Sequence, residues 1–336
     1  MFAPPPPCLI PTSAVSVSRE MARTLYDVHT HIGMDPAFYL RRWWPYAATV
    51  QELLVHMDAH GIGRAVCFPF VVPSAFDPYA FADRKTIELT AGRFPFDREN
   101  DLLSAEIARL DVDKRILQFG MFDPSREVAP QVKNLERLAP KLAGLKTQTT
   151  VIQSPIRSLL NEGRDLMKLA QQFDLPVLIH TAVHPNDPWA QARDCLDVAE
   201  VFPRVRFNLA HSLRFDRECL RRAAGMSNVW IDCAAHLVHC ELAVKDSPAV
   251  APRERRVDAD YAKPSEVLAV LHEMLPGRYL WGSDYPFMSW CADDMSAVYS
   301  YKQEVDALHA LPPRVRDDIA GAAPESWLFG ERGAGR

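Results

Sequence analysis

The sequence predicts an α/β protein folded as a single (β/α)8 barrel of the TIM type, with long βα loops at its C-terminal face. Three observations carry this. Short apolar runs alternate with amphipathic stretches about eight times, the pattern of parallel strands covered by helices. A chain of 336 residues, 48% of them hydrophobic, suits one such barrel and its core. The longest connections follow apolar runs one, two and seven, which puts them all at the face where barrels carry their chemistry. A doubly wound open sheet is the competing arrangement, but it uses fewer strands and a Gly-rich first turn, where this chain has histidines.

Residues 1–23 (MFAPPPPCLIPTSAVSVSREMAR) are Pro- and Ser-rich and lack a continuous apolar core, so they read as a flexible arm, not a secretory signal. Met21 offers an alternative start. The barrel is expected over 24–331, with a short tail at 332–336. The apolar runs are LYDVH (25–29), AVCFPF (65–70), ILQFGMF (116–122), AGLKTQT (143–149), PVLIH (176–180), VRFNLAH (205–211), VWIDCAA (229–235) and YLWGSDY (279–285). Most are rich in β-branched and aromatic residues, as buried parallel strands are; AGLKTQT is the weakest by composition. Between them, Val50, Leu53, Leu54 and Met57 share one helical face in 49–61, and Gly61 is placed to end that helix. Leu166, Leu169, Ala170 and Phe173 do the same in 161–174. The long loops are 32–48, 71–97 and 236–263, and loops of that length at this face form lids and pockets.

Net charge is −5 with 24% charged residues, which supplies no basic field for nucleic acid. No apolar stretch is long enough to cross a bilayer. Seven cysteines without a CxxC pair argue against a disulfide framework or a zinc ribbon and for a reducing, cytoplasmic setting. A small-molecule substrate is the expected partner.

The informative pattern is where the runs end. Alternate side chains of a strand point the same way, so Asp27, His29 and His31 are expected on one face, with the histidines at the strand's C-terminal end. His180 ends the fifth run, His211 the sixth and Asp284 the eighth. One such histidine is ordinarily a hydrogen-bonded core residue. Four strand ends with ligand-type residues at the same face point to a divalent metal site, because a carboxylate after an apolar run needs a cation or a donor beside it.

DVHTH, LIH, LAH and GSD, in this order over about residues 25–330, resemble the amidohydrolase superfamily. The likeness is to the metal-dependent hydrolase branch that also holds aminocarboxymuconate semialdehyde decarboxylase. GIGRAVCFPF (61–70) and IAGAAPESWLFG (319–330) are similar too. The family's Asn-Ala-x-Arg-Leu-Phe tail is not matched at Pro324, Glu325 and Trp327. The resemblance implies one metal, usually zinc, on His29, His31, His180 and Asp284; three imidazoles and a carboxylate would also accept manganese or iron. It makes His211 the catalytic or adjacent histidine, and it implies homodimers. Lys146, the lysine of the fourth run, stands where some superfamily members bridge two metals; a substrate contact or an ion pair are its other readings.

Such a site activates a water for attack on an electrophilic carbon, with Asp284 and His211 taking and returning protons. Arg41, Arg42, Trp43 and Trp44 in the first loop suit an anionic, planar substrate, or equally a rim or dimer contact. His236 and His239 are further pocket candidates. Cys233 reads as a buried, inert thiol, and the RERR run at 253–256 as a solvated charge cluster. Hydrolysis of an amide, lactone or ester is the first expectation. Non-oxidative decarboxylation on the same ligands is the second, and a catalytically silent metal-binding scaffold the third.

Overall fold

The computed structural model describes residues 23–84, 86–289 and 299–330. The expected arm, apart from Arg23, and the expected tail lie outside the described residues. Eight strands follow one another around the sheet: β1 (Tyr26–Met34), β2 (Arg64–Pro69), β3 (Ile116–Met121), β4 (Gly144–Thr147), β5 (Val177–Ile179), β6 (Phe207–Leu209), β7 (Val229–Asp232) and β8 (Tyr279–Leu280). Each pairs in parallel with the next. The ring closes where β1 meets the chain just after β8: Val28 N–H donates to Trp281 O at 3.2 Å, Asp284 N–H to His29 O at 2.9 Å, and Thr30 bridges Tyr285 in parallel. All eight apolar runs, AGLKTQT included, supply a strand.

The strand period sorts the core into two layers. Val66, Phe68, Phe119, Leu178, Trp230 and Leu280 fill the barrel interior. Ala65, Cys67, Leu145, Val177, Ile179 and Ile231 face the helices. The two helices expected from periodicity form as Val50–His60 and Arg164–Gln172. The first begins with a capping box between Thr49 and Glu52 and ends at Gly61, whose φ of 72° is the left-handed cap that glycine adopts without a Cβ penalty. The closing helix, Ala323–Phe329, sets buried Trp327 against Phe119 at 5.4 Å between ring centroids, so the departure from the family tail packs the barrel floor and stays away from the site.

The three long loops are not structureless. The first holds a helix, Pro36–Arg41, and a two-residue strand, Ala47–Ala48, antiparallel to the end of β1. The second holds the helix Pro78–Arg84, the third the helix His236–Val244. In the RERR run Arg253, Glu254 and Arg255 are exposed, as its solvated reading expects, with Arg255 pairing with buried Asp216; Arg256 departs from that reading, being buried and bonding the Ala251 and Ala243 carbonyls and Asp246. A guanidinium has donors enough to tie three chain segments at once, which the charge pattern alone does not show.

Gly144 lies where β4 crosses the Phe119 ring, and a Cβ there would run into it. Gly144→Ala is therefore expected to destabilise the barrel by about 1–3 kcal/mol, read as a lower midpoint in thermal or urea unfolding.

Candidate metal centre and cavity

The strand end that carries the two histidines is irregular. The register of β1 against β2 shifts between Asp27 and Thr30. Val28 belongs to the interior layer, and His29, the next residue, also lies inside, edge-on to Phe68 at 5.2 Å. A bulge of this kind re-aims the residues after it. His29 and His31 thus share the interior, as expected, but Asp27 does not join them. Its carboxylate instead accepts from Ser283 N–H at 2.9 Å and Ser283 Oγ–H at 2.6 Å. That clamp pins the residue before Asp284 to β1. Asp284 itself has φ 64°, a conformation that costs a non-glycine residue energy and is held here by its bond to His29 O.

The result is a tight cluster. His29 Nε2 and His31 Nε2 stand 3.2 Å and 3.4 Å from Asp284 Oδ1. Ligand atoms of the three residues lie within 4.8 Å of one another. His29 Nδ1 is 3.0 Å from Asp232 Oδ2, which fixes the proton on Nδ1 and leaves a lone pair on Nε2. His31 turns Nδ1 toward Pro69 O at 3.4 Å, and burial, against the pull of Asp284, holds this imidazole down to about 4 and so neutral. Two imidazole nitrogens and a carboxylate oxygen thus converge on one point, a donor set that fits a divalent ion. Two imidazoles and a carboxylate suit zinc, manganese or iron.

Lys146 reaches the same place from β4. Its Nζ is 3.3 Å from His29 Nε2 and 4.9 Å from the Phe68 ring centroid. Burial lowers the ammonium to about 7, with Asp232 and Asp284 opposing. It is absent from the lining of the cavity over the cluster, which departs from the substrate-contact reading.

His180, expected as a fourth ligand, lies beside the cluster and not among the atoms within 4.8 Å of one another: Nδ1 is 2.9 Å from His211 Nε2, and Nε2 is 3.1 Å from Arg214 Nη2. His211 turns Nδ1 to Ala234 O at 2.9 Å, and its ring lies 5.3 Å from His29. Burial, then the charge of Arg214, push His180 and His211 well below the ordinary histidine value. Asp232 ties this row together. Burial raises its carboxyl, but His29 and Lys146 bring it below the usual range, and it also accepts from Asn208 Nδ2 at 2.8 Å and His211 N–H at 3.1 Å.

A cavity of about 260 Å³ opens over the cluster. Phe38, Val71, Val151, Val238, Leu242 and Phe287 form its apolar wall. Gln148, His180, His211, Arg214 and His239 join the metal cluster on the polar side. Arg41, Arg42, Trp44 and His236 do not line it, which corrects their reading as substrate contacts. Arg41 is spent on Ala82 O, with Nε 2.7 Å away, and stacks on Trp43 at 4.5 Å. Arg42 caps the helix Pro36–Arg41 and is exposed, and Trp44 packs edge-on to Tyr46. His236 opens its own helix and points Nε2 at Pro264 O, 2.8 Å away; burial lowers it to about 4. His239, one turn later, reaches the cavity. Cys233 is buried, and burial pushes its thiol well up.

The amidohydrolase family model matches residues 26–329. The chain belongs to the amidohydrolase family. It is an enzyme of that family with the barrel its sequence predicted. No curated protein matches the sequence significantly. Among solved structures it is similar to a proposed 2-pyrone-4,6-dicarboxylic acid hydrolase from Pseudomonas putida, with TM-score 0.58 and 15% identity over 92% of this chain and 98% of that one. It is similar to an amidohydrolase from Burkholderia multivorans with bound zinc, at TM-score 0.58 and 17% identity over 91% and 99%. A third is a 5-carboxyvanillate decarboxylase from Novosphingobium aromaticivorans with bound manganese, at TM-score 0.59 and 12% identity over 92% and 98%. At these identities the likeness is one of fold.

Three residues of this amidohydrolase's site escaped the sequence. Asp232 had a signal, a carboxylate inside the apolar run VWIDCAA, the same one that drew attention to Asp284. Gln148 and Arg214 had none. Because Asp232 orients His29 from behind, Asp232→Asn is expected to weaken zinc binding about 10–100-fold, measured by competition with a chromophoric chelator.

Proposed function

We propose that this amidohydrolase hydrolyses an amide, lactone or ester bond in a small anionic substrate, with a divalent ion, zinc first, held by His29, His31 and Asp284. The observation that carries the reading is the convergence of three ligand-type atoms at the floor of a cavity. Such an ion supplies Lewis acidity and an activated water.

The chain's own groups do the rest. Asp284 is the ligand of the three with the more exposed side chain, 10% against 1% and 3%, so its carboxylate is the one able to take a proton from the cavity side and return it to the leaving group. His29 is locked by Asp232 in the tautomer that donates Nε2. His211 and His180 share one proton along a 2.9 Å contact, and burial and the charge of Arg214 hold both below the ordinary histidine value, so neither ring competes for the ion's charge. The apolar wall keeps bulk water from the reacting carbon.

Decarboxylation uses the same ligands, and its support here is the manganese-bound decarboxylase among the similar folds. A panel of lactones and of hydroxybenzoate-type acids separates the two by proton release against CO2 release. In either case chelation is expected to abolish turnover reversibly, and Asp284→Asn to lower kcat/KM by about 10²–10⁴-fold. Turnover that survives complete metal removal contradicts the reading.

A further inference from the structure

Arg214 is an anomaly of charge. It follows β6 in a turn, His211–Phe215, whose five residues all have φ between 47° and 64°. Non-glycine residues rarely hold that left-handed conformation one at a time, and here five do so in succession. The turn is held from several sides. Arg214 Nε donates to Thr181 O at 2.7 Å, Ala251 N–H to Arg214 O at 2.9 Å, Val257 N–H to Phe215 O at 3.1 Å, and Ser212 Oγ bonds Tyr279 Oη at 2.8 Å. What the strain accomplishes is to bring a guanidinium back over the barrel mouth, into the cavity wall.

There the guanidinium meets imidazoles. One Nη bonds His180 Nε2 and the other His239 Nε2. Both rings are kept neutral, pushed well below the ordinary value by burial first and by Arg214 next. Among the described residues no carboxylate pairs with Arg214; Asp284, Asp187 and Asp232 act on it only from farther away. A half-buried cation with only neutral partners, facing a cavity, lacks the counter-charge that burial ordinarily demands. Arg41 and Arg42 are not available for this purpose.

The second observation is position. His211 stands between the metal cluster and Arg214, 5.3 Å from His29 on one side and 4.6 Å and 5.0 Å from His180 and His239 on the other, centroid to centroid. One carboxylate cannot reach both ends of that row. Gln148, whose Oε1 accepts from Val151 N–H at 2.7 Å, leaving its amide donor uncommitted by that bond, lines the same cavity.

We propose that Arg214 is the receptor for a substrate carboxylate that is not the reacting group, held several bonds from the carbon attacked at the metal cluster, with Gln148 as an accessory donor. The substrate class is then an acid whose ring or chain carries a second, electrophilic carbonyl, such as a lactone acid or keto acid. The inference rests on the proposed metal-centred reaction for the far end of the substrate only.

The test compares benzoate with its neutral isostere benzamide, titrated calorimetrically into zinc-loaded wild type, Arg214→Met and Arg214→Lys, with zinc per chain measured alongside. Wild type is expected to prefer benzoate by about tenfold or more, the scale of a charge-assisted hydrogen-bonded pair, and Arg214→Met to bind the two alike with its zinc retained. Arg214→Lys keeps the charge and loses the fork, so benzoate should weaken by about tenfold there even if the methionine variant fails to fold. A preference for benzoate that is unchanged in either folded variant overturns the proposal. A wild type that holds no zinc yet shows the preference, and loses it in Arg214→Lys, refutes the metal reading and leaves this one standing.

Discussion

The upper end of this barrel is built around one constraint, that two imidazoles and a carboxylate must direct their ligand-type atoms at one spot. His29 Nε2, His31 Nε2 and Asp284 Oδ1 achieve it only because their neighbours are over-determined. The bulge in β1 aims the histidines inward and sends Asp27 the other way, where its bonds to Ser283 close the ring of strands. The same closure holds Asp284 in a backbone conformation it would otherwise avoid. Asp232 then fixes the His29 tautomer. Fold and site are therefore not separable here: the contact that completes the barrel also places the last ligand.

The second principle is the management of buried charge. Lys146 and Arg214 bring two basic groups into the upper barrel, and the carboxylates of Asp232 and Asp284 act on both. Around them five imidazoles stay close together. Burial first, then the charge of Arg214, keeps His180, His211 and His239 unprotonated. Neutral imidazoles are what a metal site and its surroundings need, since a protonated ring neither ligates nor accepts. The long loops contribute mainly the apolar side, through Phe38, Val71 and Leu242.

How much of this was legible follows from what kind of regularity each part obeys. Strands and their ends could be read because burial imposes an apolar run and pleating imposes a period of two. The barrel, the two helices and the strand-end positions of His29, His31, His180 and Asp284 came from those rules. Bulges break the period, so the separation of Asp27 from His29 could not be seen. Loop residues obey no period at all. Arg41, Arg42 and Trp44 had the right chemistry for an anion, but the short helix Pro36–Arg41 directs Arg41 to a carbonyl of the next loop. Arg214 had no visible claim, because its placement depends on a left-handed turn that non-glycine residues seldom make. His236 and His239 were indistinguishable until a helix was seen to start at the first of them, burying it and carrying the second to the cavity.

The most direct measurement is anomalous diffraction at the zinc absorption edge from crystals of the zinc-supplemented protein. One strong peak is expected, within bonding distance of His29 Nε2, His31 Nε2 and an Asp284 carboxylate oxygen. Ordered density for those three side chains with no peak among them, or with the zinc bound elsewhere on the chain, would contradict the account.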